Sequence, residues 1–476
     1  MLKIWSLIGL AIYFGGLLLA VTREKKNHSV MDYFFAGRTL PYWALSITFI
    51  ASWWGAGSAL STADLAYEDG LGAVWYYGVP VLLSTFLMIL CAGSIRRVGY
   101  LTQGRMMEAR YSPLTARILS FLVLIFMVFN AASQMVGIGD FFGTYLGLSY
   151  EFAVLAGTLI VLIYSMFGGF RGVVLTDIIQ FVLLVISAAV VFVVGMLKAG
   201  GMAGIAEAAQ RAGKPDFLSF SAGASKYSMY VITFGCAWMI QANVWQRISA
   251  ARSDGDARKM TVMSFFAYIP LYLIVVLTGM AGLCLYEKLP AGGVVTAIVM
   301  DHMNPFLGAL VFIGISAAIM STMDSLINTA SMTLILDLMP EDADENRQLQ
   351  KSRMATLGIT AAALLISMKV RSILEISWMA SDIITTGVFV PLILGFLWKR
   401  GNTKGAMASM IVGFFYCFYN LLISLGIALP SFWKPQSAGQ VILGAGLSLV
   451  LYVGVSLMTA PETEKAEAFM ELAKKK

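Results

Sequence analysis

ISAAIMSTMDSLINTASM, residues 315–332, is an apolar run of membrane-spanning length interrupted by one carboxylate, Asp324, and a cluster of hydroxyls that includes Ser321, Thr322, Ser325 and Thr329. A charge at the centre of a bilayer helix costs at least ~2.5–3.5 kcal/mol, so such a residue faces a partner or a water-filled path. Ala318, Ser321, Thr322 and Ser325 follow the i, i+3, i+4, i+7 spacing that gathers side chains on one helix face. Small oxygen-bearing residues beside a carboxylate suit a hard, weakly held cation such as Na⁺. The competing reading is a packing face, since Ser, Thr and Ala also let membrane helices approach closely. Asp324 tips the balance towards an ion path.

Working outward, the class follows from composition. Of 476 residues, 59% are hydrophobic and 13% charged, about half the charge of an ordinary soluble domain. Apolar runs long enough to cross a bilayer recur throughout, which predicts an all-α polytopic membrane protein. About thirteen spans are expected, near residues 3–21, 41–61, 72–94, 118–138, 152–168, 174–197, 228–247, 261–285, 306–336, 356–370, 377–398, 404–428 and 438–459. Alternate loops hold 24 of the 33 basic residues. By the positive-inside rule those loops are cytoplasmic, with the N-terminus outside and the C-terminus inside. The first segment, Met1–Ala20, has a single Lys3 ahead of its apolar run and Arg23, Lys25 and Lys26 after it. It reads as an outside-to-inside span and not as a cleaved signal. The net charge of +6 reflects topology and contact with anionic membrane lipid, and nothing points to nucleic acid.

Enzyme chemistry finds no support. His28 and His302 are far apart, and no acid/base or metal constellation can be built from them. No phosphate-binding loop ending in Lys-Ser/Thr occurs, so the energy source is expected to be an ion gradient. Cys91, Cys236, Cys284 and Cys417 lie in or beside spans without metal-like spacing. No organic cofactor and no obligate protein partner are expected.

Four further places carry polar chemistry inside spans. In FGGFRGVVLTDIIQ, Asp177 follows a short turn at Gly168-Gly169 and Arg171. It either pairs with Arg171 near the interface or converges with Asp324 on one cation site. Asp382, in SWMASDIITT, is placed near the outer end of a span, in a capping or gating role. In IASWWGAGSAL, Gly55 and Gly57 weaken the helix, and Trp53 and Trp54 lie too deep for an interfacial belt. Interrupted helices expose backbone carbonyls at the midplane, where ions and solutes bind. Close packing at the glycines with lipid-facing indoles is the alternative. GCAWMIQANVWQR, with Gln241 and Asn243, is its counterpart five helices later and therefore runs oppositely. That is the arithmetic of a five-plus-five inverted repeat. The expected division is a flanking helix over 1–30, a ten-helix transport core over 31–403, and flanking helices with a short tail over 404–476.

DYFFAGRTLP, the GG…TD…Q turn at Asp177, AAIMSTMDSLINTASM and SDIITTGVFVPLILGFLWKRGNTKGAMASMIVG together resemble the sodium/solute symporter family, over about Tyr33 to Gly413. ASWWGAG, ANVWQR and the STMDS run look most like its high-affinity choline transporter branch. The resemblance implies a leucine-transporter-type core and a main Na⁺ site between the first and eighth core helices. Its ligands would be the carbonyls of Ala51, Trp54 and Ala318 and the hydroxyls of Ser321 and Thr322. A second cation site, present in some members, would use Asp177, Ser321, Ser325 and the position of Asp324. Members with that site often carry Ser where this chain has Asp324.

For substrate, Trp53 matches an aromatic of the choline-like box, while other box positions fall on Leu82 and Asn130. Trp378 and Trp238 lie near further ones. With Gly55, Gly57, Asn130, Gln134 and Gln241, the pocket suits a quaternary amine, an amino acid or a carboxylate. The expected function is Na⁺-coupled symport of a small organic solute by alternating access. A proton-coupled carrier using Asp177 and Asp324, and a membrane sensor that binds solute without moving it, are the alternatives.

Overall fold

The computed structural model describes residues 2–23, 30–424, 427–430 and 438–474; Lys25, Lys26 and His28 lie outside the described residues. Every regular element among them is helical. Among the described residues, nine helices are long and apolar enough to cross a membrane, and Tyr42–Ala51 and Tyr150–Met166 are shorter apolar helices.

The first helix, α1 (Leu2–Arg23), packs on the helices Tyr150–Ala199 and Pro305–Thr333 described below. The first five-helix unit begins with α2 (Tyr42–Ala51), which breaks and resumes through Gly57–Ser61 into α3 (Thr62–Asp69). It continues with α4 (Gly78–Val98), a short connecting helix α5 (Gln103–Arg110) and α6 (Pro113–Leu146). It closes with α7 (Tyr150–Ala199), which forms two spans hinged at Gly169. Gly169 has φ 53° and ψ −163°, a backbone conformation open to glycine and closed to residues with a Cβ.

The second unit repeats this plan. It has the broken pair α8 (Phe220–Met239) and α9 (Ala242–Ala250), then α10 (Asp254–Leu285), α11 (Pro305–Thr333) and α12 (Glu345–Lys369). It ends with α13 (Ile373–Ile384), which continues through a π-helical turn into α14 (Val390–Leu397). Two flanking helices, α15 (Thr403–Ser424) and α16 (Ala438–Met458), and a terminal helix α17 (Thr463–Lys474) complete the chain.

The element that carries the opening stretch lies at the centre of this packing. Every residue of α11 from Gly314 to Thr333 is buried. It packs chiefly on α7 and α6. In lipid every backbone polar group must find an internal partner, and hydroxyls along α11 bond back to carbonyls four residues earlier, as Thr329 does to Ser325 at 2.8 Å.

Two expectations need correction. Asp382 does not cap a span end. It lies nine residues beyond Ile373 in a 25-residue apolar helix, roughly 14 Å along the axis at 1.5 Å per residue, and it is 7% exposed. Arg247, counted above as a cytoplasmic loop charge, is fully buried within α9. It therefore carries no topological information, although the other basic residues keep the same asymmetry.

Candidate functional site: two helix breaks and the face of α11

The first break releases backbone groups that side chains of other helices then engage. The hydroxyl of Thr322 donates to the carbonyl of Ala51 at 2.9 Å and lies 3.4 Å from that of Ala318. Asn243 Nδ2 reaches the Ser52 carbonyl at 3.3 Å, and Ser58 Oγ that of Trp53, also at 3.3 Å. The Ala56 amide donates to Gln134 Oε1 at 2.8 Å. Gly55 permits this approach: a Cβ there would sit 2.1 Å from Gln134 Oε1 and 3.0 Å from the Thr322 Cβ. A side chain at position 55 would therefore have to displace the Gln134 amide from the break.

Trp53 and Trp54 are 8% and 1% exposed, which overturns the lipid-facing alternative. Trp54 packs on Tyr272 with ring centroids 4.8 Å apart. At the second break the carbonyls of Ile240 and Met239 accept from Gln103 Nε2 at 2.7 Å and Trp245 Nε1 at 2.8 Å. The two breaks meet, because Trp53 Nε1 donates to Gln241 Oε1.

Of the five residues expected at the main cation site, Ala51, Ala318 and Thr322 share one hydrogen-bonded cluster, and Trp54 lies at the break beside it. Ser321 is turned the other way and donates to Asp177 Oδ1. Asp177 Oδ2 accepts from Thr48 and lies 3.7 Å from Arg247 Nη2, both side chains being fully buried. Arg171 does not pair with Asp177; it bonds the Ala36 carbonyl at 3.1 Å and Thr39 Oγ1 at 2.9 Å.

The guanidinium of Arg247 donates to Ser325 Oγ at 2.6 Å, Asn243 O at 2.9 Å and Thr48 Oγ1 at 3.2 Å. It also lies 5.2 Å over the ring of Phe170. Asp177 and Ser325 are thus gathered around a cation that the chain itself supplies. Asp324 is held apart from them. Its Oδ1 accepts from Ser165, while Oδ2 is buried without a partner.

The expected solute-binding residues fall into two groups. Trp53 stands at one end of an aromatic wall: Trp238 is 6.4 Å from it, and Tyr77 and Phe234 are each 4.8 Å from Trp238. Tyr76, Tyr230 and Trp378 extend the wall through centroid distances of 5.5, 4.9 and 5.6 Å. Gly57 faces Tyr77, whose hydroxyl would lie 2.2 Å from an added Cβ. Gln134 and Gln241 belong to the break network already described. Asn130 bonds back to the Phe126 carbonyl at 3.0 Å. Leu82 is no gap in the wall, because Tyr76 and Tyr77, just ahead of the same helix, supply aromatic rings to it.

Sequence reasoning missed Tyr76, Tyr77, Tyr230, Phe234, Arg247, Thr48 and Ser165. A signal existed for some. Tyr227, Tyr230, Phe234 and Trp238 recur at helical spacing on one face of α8, and Arg247 directly follows Gln246 at the end of a largely apolar span. Nothing local marks Thr48 or Ser165.

With this geometry in view, comparison with known proteins is informative. The sodium:solute symporter family matches residues 33–413. The sodium/pantothenate symporter of Escherichia coli (strain K12) is 26% identical over 88% of this chain and 89% of its own length. The osmoregulated proline transporter of Bacillus subtilis (strain 168) is 25% identical over 96% of both. The sodium/glucose cotransporter of Vibrio parahaemolyticus is 24% identical over 83% of this chain and 80% of its own. Among solved structures, the substrate-bound outward-open state of a Na⁺-coupled sialic acid symporter has a similar fold. It superimposes with a TM-score of 0.79 at 18% identity, over 96% of this chain and 98% of that one. These relatives are transporters and not enzymes, and with its polytopic helical core this chain belongs to the sodium:solute symporter family.

Proposed function

We propose that the protein carries a small organic solute into the cell together with Na⁺ by alternating access, with its N-terminus outside and its C-terminus in the cytoplasm. The observation that carries the reading is the oxygen cluster at the first break. Thr322 Oγ1 joins the Ala51 carbonyl of the interrupted helix to the Ala318 carbonyl of α11, which are hard oxygen donors of the kind Na⁺ takes. Na⁺ bound there would take the Trp54 carbonyl and, once it turns from Asp177, the Ser321 hydroxyl into its shell, and would hold the broken helix to α11. A ligand shifts such an equilibrium by its differential affinity for the two states.

The aromatic wall from Trp53 to Trp378 favours a solute with an apolar or quaternary-ammonium body, through area burial and cation–π attraction. An amino acid or carboxylate fits the names of the proline and pantothenate relatives.

Ser321→Ala and Thr322→Ala are each expected to raise the Na⁺ concentration for half-maximal uptake by about tenfold or more. One hydrogen bond to a charged group contributes about 1.5–3 kcal/mol. Undiminished uptake at low Na⁺ in both variants, measured in proteoliposomes, would remove the site assignment.

Proton coupling is the second reading, favoured by the buried, unpartnered Oδ2 of Asp324. Replacing Na⁺ with N-methylglucamine at fixed pH separates the two: uptake that persists assigns the coupling to protons.

A further inference from the structure

The carboxylate of Asp382 takes no part in either helix break. It is 7% exposed, its Oδ1 has no hydrogen-bond partner, and no ion pair to it occurs among the described residues. Its neighbours on the same face of α13, Met379 and Ile383, border with it a cavity of about 40 Å³ against the flanking helices α15 and α16, lined there by Phe414, Cys417, Phe418, Asn420, Leu421 and Gln440. Asn420 Nδ2 is spent on the Tyr416 carbonyl at 2.8 Å, which leaves its amide oxygen as an acceptor. The rings of Phe414 and Phe418 are stacked, 6.0 Å apart at 18°.

Burying an unpaired carboxylate is costly, and the cost is met by a proton or by a cation. A proton needs no space. A cavity above the ~10–15 Å³ that one water requires points to an occupant larger than a proton and no larger than a few heavy atoms. Na⁺ wants several hard oxygens, and beside its carboxylate and the amides of Asn420 and Gln440 this cavity offers a thiol, a thioether and two aromatic rings. Those walls suit a small ammonium, which accepts cation–π contact and needs few directed oxygens.

We propose that the Asp382 cavity is a binding site for a small ammonium ion, of the size of ammonium or methylammonium, separate from the solute pathway and formed between the transport core and its flanking helices. Asp382 supplies the counter-charge, Asn420 a second acceptor, and the phenylalanines the walls.

The test is thermal stability of the purified full chain titrated with methylammonium chloride, with NaCl at equal ionic strength as the reference. The wild type should show a saturable rise in melting temperature. Asp382→Asn, which preserves shape without charge, should weaken the apparent affinity by about tenfold or more, and Asn420→Ala by a smaller factor. Trp53→Ala, in the aromatic wall, should leave the response intact. No methylammonium-specific shift in the wild type overturns the proposal. A response that survives in both Asp382→Asn and Asn420→Ala overturns it too. A response lost in Trp53→Ala but kept in Asp382→Asn assigns the ligand to the solute pathway and equally refutes the cavity.

Discussion

At the scale of single residues, the buried pair of Asp177 and Arg247 decides how the charges of the core are settled. Both are fully buried, and hydrogen bonds from Ser321 and Thr48 to the carboxylate, and from the guanidinium to Ser325 and Asn243, satisfy most of the remaining groups. Removing one partner of a buried pair strands the other charge, at a cost of about 3–5 kcal/mol. Arg247→Gln should therefore lower the melting temperature sharply. Asp177→Asn in the same chain should restore part of the loss, because the stranded charge is then gone. Equal melting temperatures for the single and double variants would show that the two charges are not coupled. That Asp177 needed a partner was legible in the sequence. Which arginine answers it was not, since Arg171 lies six positions away and Arg247 seventy, and only packing brings the distant one closer.

At the scale of elements, the interruptions in α2–α3 and α8–α9 are the parts on which the proposed function rests. Their existence was readable from Gly55, Gly57, Gln241 and Asn243, because glycines and amides inside apolar spans weaken a helix and supply groups for its freed backbone. The partners were not readable. Gln134 and Thr322 reach the first break from two other helices, and Gln103 reaches the second from a connecting helix. Gly55→Ala puts a methyl against Gln134 Oε1 and Thr322. The expected outcome is loss of Na⁺-dependent uptake, with surface expression retained in immunoblots of membranes. Full uptake would mean that the break relaxes freely and that its close contact with α11 is dispensable.

At the scale of the whole molecule, α17 ties the last element back to the core. Phe469 is 2% exposed and lies 5.0 Å from Phe396. Arg97 Nε donates to the Ala473 carbonyl at 2.9 Å, and Thr403 Oγ1 to Glu462 Oε2 at 2.8 Å. Lys399 and Glu467, 2.9 Å apart, are about half exposed. Phe469→Ala should cost about 3–5 kcal/mol through the cavity it leaves, whereas Lys399→Gln should cost under ~1 kcal/mol because an exposed ion pair is screened by water. Thermal unfolding of both variants checks the order; a larger loss for Lys399→Gln would reverse the account of what holds α17 in place. The short tail expected from sequence is thus a docked helix, whose buried stripe of Ala466, Phe469, Met470 and Ala473 follows helical spacing.

By itself the sequence determined the membrane class, the succession of apolar helices, the two interrupted helices and the polar face of α11. Each of these rests on local quantities: run length, composition, and the spacing of small and oxygen-bearing residues. Tertiary structure alone decided that Ser321 turns to Asp177, that Arg247 stands between Asp177 and Ser325, that an aromatic wall joins Trp53 to Trp378, and that Asp382 faces a cavity and not a span end. The reason is physical. Lipid-facing and protein-facing sides of a membrane helix are almost equally apolar, so hydropathy locates a span along the chain but leaves its rotation about its own axis undetermined, and rotation chooses the partners.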